Sequence, residues 1–143
     1  MKKRLNSRAG FTLLEILLVV IIIGMLVGVA VVRLGGKAKE AQITAARDQI
    51  HNYESALDLY ELDNGFVPTS EQGLQALVAR PGTSPVPNNW KGPYLKPSVI
   101  RKDYWGHDYL YKTPGQHNAG GYDLYSPGPD GIDGNEDDIG NWQ

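Results

Sequence analysis

At 143 residues, with 14 Lys and Arg against 16 Asp and Glu, the chain is by length a one-domain protein of formal charge −2. The imbalance is local: Lys2, Lys3, Arg4 and Arg8 precede Phe11 with no acid among them, so beyond residue ten 10 bases face 16 acids, a charge of −6. That acidity argues against a nucleic-acid partner, and the absence of cysteine excludes disulfides and thiolate metal sites without fixing a compartment.

The first predicted element is an apolar run of 22 residues from Phe11 to Val32, in which Glu15 is the one charge. As a helix it measures about 33 Å at ~1.5 Å per residue, enough to cross a hydrocarbon layer of roughly 30 Å. A cleaved secretory signal and a buried core helix are the other readings. The run exceeds a normal signal core, and the small-residue cleavage pattern around Gly35 and Gly36 is poorly formed, so a membrane span is favoured. Ile, Leu and Val fill 13 positions between Ile16 and Val32. At about −0.3 to −0.6 kcal/mol each, insertion gains roughly 4–8 kcal/mol, whereas a carboxylate costs at most ~3. Four bases before the run against Arg33 behind it place the N-terminus in the cytoplasm and the body outside. Taken alone, Glu15 is either an interfacial carboxylate reaching back to water or a group awaiting a cation inside an assembly.

Past Gly35 and Gly36 the helical pattern resumes. Ile43, Ala46, Ile50, Tyr53, Leu57 and Tyr60 form one narrow apolar face, opposite Lys39, Glu40, Arg47, Asp48 and Glu61. The face suits docking on the chain's own head better than a coiled-coil seam. Asp63, Asn64 and Gly65 supply the C-cap, predicting one helix from Thr12 to about Leu62. Thr69 and Gln72 make a capping box for a second helix over Ser70 to Ala79, with Leu74, Leu77 and Val78 inward. Aromatic-rich strands at Tyr109 to Lys112 and Tyr122 to Ser126 form a hairpin. The fold class is α+β: a long helix covering one face of a small antiparallel sheet.

Between Ser126 and Trp142, Asp130, Asp133, Glu136, Asp137 and Asp138 alternate with glycines. A solvated acidic turn and a hard-cation site both fit; calcium takes six to eight oxygens, and the spacing is not that of an EF-hand. His51, His107 and His117 sit in no HExxH, GxSxG, Walker or Rossmann pattern and read as exposed or capping residues. Trp90, Trp105 and Trp142 read as core or edge packing, so no enzymatic reaction is expected.

The string GFTLLE, with its short basic leader and apolar continuation, resembles the class III signal of type IV pilins and pseudopilins. The segments PTSEQGLQAL, GPYL, DYWG, PGQH, YDLYSPGPDG and DDIGNW, in that order, resemble the major pseudopilin family of the type II secretion system, known as general secretion pathway protein G. The resemblance spans Gly10 to Trp142 and implies a pilin-like fold. It divides the chain into a leader (1–10) removed by a prepilin peptidase, a transmembrane and assembly half of the helix (11–33), and a periplasmic head (34–143). Cleavage between Gly10 and Phe11 would leave N-methyl-Phe11 as the first residue. Glu15 would then face the cationic amine at Phe11 of a neighbouring subunit, each relieving the other's cost in low dielectric.

The resemblance also implies one structural calcium. Side chains of Asp130, Asp137 and Asp138 would bind it with the backbone carbonyls of Pro127 and Ile132, Ser126 being a further backbone candidate; Asp133 and Glu136 are left out. The implied partners are further copies in a homopolymer, minor pseudopilins, the prepilin peptidase, an inner-membrane secretion platform with a cytoplasmic ATPase, and inner-membrane lipid before assembly. The implied location is the bacterial inner membrane, single-pass, and then a periplasmic pseudopilus. Val32 and Tyr104 stand where many relatives carry proline. The alternatives are a type IV pilin, which typically closes its head with a disulfide, a minor pseudopilin, and a membrane-tethered calcium-dependent binding module.

Overall fold

The computed structural model describes residues 10–143, with every side chain in that range except those of residues 29–35. Helix α1, Leu13–Asn64, dominates the element order. The absence of proline lets it continue through Val32, and through Gly35 and Gly36 at a propensity cost of about 1 kcal/mol each. It ends two residues beyond the expected Leu62. Gly65 adopts φ 80°, and its N–H donates to the Glu61 carbonyl at 2.7 Å. That left-handed step favours glycine strongly and closes the helix.

The chain divides into two compact units, Met1–Lys39 and Glu40–Gln143. In the first, the large apolar side chains from Phe11 to Val27 are exposed. Among the described residues no helix is long and apolar enough to cross a membrane. The span expected over Phe11 to Val32 runs into residues 29–35, whose side chains lie outside the described ones, and residues 1–9 of the 1–10 leader lie outside the described residues altogether.

In the second unit the predicted helix face is the core. Ala46, Ile50, Tyr53, Leu57 and Tyr60 are almost wholly buried and Ile43 is packed against them, while Glu40, Arg47, Asp48 and Glu61 are exposed. Leu74, Leu77, Leu95, Tyr109, Tyr111, Leu124 and Ile139 complete the cluster, so this face is covered by its own head. Edge-to-face pairs of Tyr53 with Tyr109 at 5.3 Å and Tyr60 with Tyr94 at 5.6 Å fix its aromatic layer.

The second predicted helix is a correction. Its capping box forms: Thr69 Oγ1 accepts the Gln72 N–H and Gln72 Oε1 accepts the Thr69 N–H, each at 3.2 Å. The box opens, however, onto a 3-10 helix, Gly73–Leu77, in place of an α-helix over Ser70 to Ala79. Gly73 takes φ 57°, which an α-helix cannot contain. Gln72 Nε2 also donates to the carbonyls of Thr83 and Pro85, tying the turn to the loop beyond it. Leu74 and Leu77 are buried as expected.

The sheet is antiparallel, in the order β1 (Leu110–Lys112), β2 (Asp123–Ser126), β3 (Ile139–Gly140). The predicted hairpin is present, with Tyr111 opposite Leu124 and each strand starting one residue later than expected. Strand β3 has no counterpart among the predicted elements. Ile139, opposite Ser126, is buried and brings the C-terminal tail into the sheet.

Candidate functional site

The first functional group lies at the start of α1. Thr12 is its N-cap: the carbonyl accepts the N–H of Glu15 at 3.1 Å and of Ile16 at 3.3 Å, and Oγ1 accepts the Glu15 N–H at 3.2 Å. Gly10 and Phe11 therefore precede the helix, exposed. Glu15 occupies the first turn, where the helix dipole favours an anion. Its carboxylate is exposed and forms no hydrogen bond or ion pair among the described residues. Around it lies contiguous apolar surface, from Phe11 at 80 % and Leu13 at 87 % exposure to Val27 at 55 %. Surface of this kind marks a site that lipid or other protein covers.

The second group is the loop between β2 and β3. Gly128, Gly131 and Gly134 adopt φ between 70° and 90°, which folds five acids into a short path. Asp130 accepts the Ile132 N–H at 3.0 Å and Asn135 Nδ2 at 2.8 Å. Asp137 is exposed and donates its N–H to Asn135 Oδ1 at 2.9 Å. Asp138 is buried; its Oδ2 accepts the Gly134 N–H at 2.9 Å, and its Oδ1 is enclosed with no hydrogen-bond partner. Asp133 is engaged elsewhere, by the Tyr125 hydroxyl at 2.6 Å and Lys112 Nζ at 2.9 Å. Those two partners, Tyr125 first, hold its carboxyl below the ordinary value.

Among the described residues no three His, Cys, Asp or Glu side chains form a group that could hold a metal ion, so Asp130, Asp137 and Asp138 are not brought together as one. The loop nevertheless fits a hard cation in one respect. An enclosed carboxylate oxygen without a donor is costly, and a cation would satisfy it. Asp138 is that group, with Asp130 and Asp137 and the carbonyls of Pro127 and Ile132 on the same loop. Ser126 Oγ is committed to Asp103 at 2.6 Å and to the Gly128 N–H at 3.1 Å.

Two buried carboxylates are not foreseen from the sequence. Asp123 accepts the N–H groups of Gln116 at 2.7 Å, His117 at 2.9 Å and Asn118 at 2.9 Å, with His117 Nδ1 at 3.2 Å. Asp103 accepts the N–H groups of Trp105 at 3.0 Å and His107 at 2.7 Å. The Asx-turn chemistry of Asp103 followed by Gly106 is a visible signal. For Asp123 the donors lie five to seven residues upstream, and no local pattern announces them.

His51 and His117 are exposed, as expected, and His107 is half-buried. His107 Nδ1 contacts the Gly128 carbonyl at 3.0 Å, and His117 stacks on Trp142 at 3.9 Å between ring centroids. Trp90 and Trp105 pack on the core as expected.

Burial pushes Asp123 upward, but the N–H groups of His117, Asn118 and Gln116 outweigh it and hold the carboxyl below its ordinary value. A carboxyl that titrates lower folded than unfolded contributes stability that is complete above its unfolded pKa, near pH 4, and is lost as pH falls through the folded value. Thermal melts in chelator should therefore show an acid limb below about pH 4, and Asp123→Asn should flatten it. An unchanged limb in that variant would exclude Asp123 as its source.

The comparisons with known proteins point to one family. The family model for type II secretion system protein G matches residues 33–142, and that for the prokaryotic N-terminal methylation motif matches residues 5–31. The type II secretion system core protein G of Pectobacterium carotovorum subsp. carotovorum is 47 % identical over 134 residues, 93 % of this chain and 83 % of that relative. The protein of that description from Pseudomonas aeruginosa is 44 % identical over 141 residues, 96 % of each chain. A crystal structure of the major pseudopilin from the type 2 secretion system of enterohaemorrhagic Escherichia coli is similar with TM-score 0.68 and 43 % identity, covering 76 % of this chain and 93 % of that one. The chain belongs to the type II secretion system protein G family.

Proposed function

We infer that the chain is a structural, non-catalytic subunit that polymerises into the periplasmic pseudopilus of a type II secretion system and helps drive folded proteins across the outer membrane. The observation that carries this reading is the exposed apolar surface from Phe11 to Val27, with Glu15 in the first turn of α1 and without a partner among the described residues, on a chain of this family. Residues 1–10 are the leader, cut after Gly10 by a prepilin peptidase that also methylates Phe11. Residues 11–33 lie first in inner-membrane lipid, as a single pass with a cytoplasmic N-terminus, and later among copies of the same helix in the fibre. Residues 34–143 are the periplasmic head. Minor pseudopilins and an inner-membrane platform with a cytoplasmic ATPase complete the machine.

Glu15 sets the register of assembly by meeting the Phe11 amine of the next subunit. Removing one partner of a buried pair costs about 3–5 kcal/mol, on the order of a hundredfold or more in subunit affinity. Glu15→Ala should thus fold its head normally, yet form no fibres and support no secretion. Fibres and secretion at the wild-type level would refute the register role.

The head holds one calcium through Asp130, Asp137 and Asp138 and the carbonyls of Pro127 and Ile132, with Ser126 as a further backbone candidate. When bound, calcium supplies positive charge to oxygens that otherwise repel one another, and so staples the tail to the sheet. Support comes from the buried, unpartnered Asp138 Oδ1.

A further inference from the structure

A buried polar network lies directly beneath the limb of the acidic loop from Ser126 to Ile132. The Asp103 side chain is wholly buried. Its Oδ2 accepts the Ser126 hydroxyl proton at 2.6 Å, and its Oδ1 accepts the backbone N–H groups of His107 and Trp105 at 2.7 and 3.0 Å. Ser126 Oγ, its one proton given to Asp103, accepts the Gly128 N–H at 3.1 Å. His107, anchored through its backbone N–H, presents Nδ1 to the Gly128 carbonyl at 3.0 Å. A carbonyl only accepts, so Nδ1 carries the proton.

The imidazole also lies against Gly131, at φ 71°, so closely that a Cβ there would overlap the ring. A Cβ at Gly128 would likewise overlap the Asp137 carbonyl, so the two limbs of the loop touch at that point. Both backbone groups of Gly128 are therefore held, and Pro127 lies between it and the anchored Ser126. Asp130 and Ile132 flank Gly131, on which the imidazole rests. A wholly buried carboxylate is a costly way merely to close a turn. Two of its three donors, the N–H groups of Trp105 and His107, close that turn, while the third, the Ser126 hydroxyl, ties it to the part of the loop that carries the assigned oxygens.

We propose that Asp103, Ser126 and His107 are positioning residues for calcium, holding the 127–132 limb with its carbonyls and Asp130 in the binding arrangement before the ion arrives. This rests on the calcium reading given above. Partners behind metal ligands typically change affinity by 10–100-fold when removed.

The test is calorimetric titration of calcium chloride into the full-length chain in detergent micelles, below its melting temperature. Ser126→Ala, which keeps the backbone carbonyl, and His107→Ala should each raise Kd by about 10–100-fold, while Ser126→Thr, which keeps the hydroxyl, should restore a Kd near that of wild type. If Ser126→Ala fails to fold, His107→Ala, whose ring is partly exposed, decides alone. A merely structural role would lower the calcium-free melting temperature and leave Kd unchanged, which overturns the proposal. Failure of the wild type itself to bind calcium would instead remove the calcium reading.

Discussion

Stripped of calcium by a chelator, the full-length chain in detergent should melt roughly 15 °C below its temperature in excess calcium. A ligand at a thousand times its Kd stabilises the folded state by about 4 kcal/mol, and each kcal/mol moves the melting temperature of a head this size by about 4 °C. The loop from Pro127 to Asp138 is short of apolar anchors: from Pro129 to Asp137 every residue is exposed, Ile132 among them. Its acids repel one another, and Asp138 Oδ1 is enclosed without a donor. Calcium bound there would remove both costs at once. Asp137→Ala combined with Asp138→Ala should melt at one temperature with or without chelator. A wild-type chain indifferent to chelator would contradict the site.

Asp123→Ala should destabilise the head by about 3 kcal/mol, read by urea denaturation. The carboxylate is 2 % exposed and gathers three consecutive N–H groups, those of Gln116, His117 and Asn118. Each buried donor left without an acceptor costs roughly 1–3 kcal/mol; because Gln116 and His117 are themselves exposed, the low end applies. Gly115 packs so tightly on Asp123 that a Cβ there would overlap its Oδ1. Loosening residues 115–118 also frees His117 from its stack on Trp142. Asp123→Asn keeps an acceptor oxygen and should lose about half as much. A wild-type midpoint in Asp123→Ala would show that the loop holds itself.

The parts of this molecule that sequence reveals are those with a period or a local partner. Ile43, Ala46, Ile50, Tyr53, Leu57 and Tyr60 repeat at three and four because one side of α1 is buried, and that side is the core. The end of α1 is visible in Asn64 and Gly65, since a left-handed closing residue favours glycine. The Thr69 and Gln72 box is equally visible, yet it caps a 3-10 turn, because the backbone at Gly73 is chosen by the loop Gln72 holds and not by helix propensity. Strand β3 is two residues long, too short for alternation to register, and exists because Ile139 finds a place opposite Ser126.

The sites divide in the same way. Glu15 stands out because one charge interrupts an apolar run, and the acids from Asp130 to Asp138 stand out by density. The network of Asp103, His107 and Ser126 does not. Ser126 lies 23 residues from Asp103, and polar contacts across such a distance leave no repeat in the chain.

In the function proposed here the apolar helix resides first in lipid and then in a fibre, with a newly made N-terminus opposite Glu15. Intact-mass and N-terminal sequencing of the mature chain, purified from cells that contain a prepilin peptidase, test it most directly. The mature chain should begin at N-methyl-Phe11 and lack residues 1–10; one that retains Met1, or begins at any residue other than Phe11, would overturn this reading of the helix.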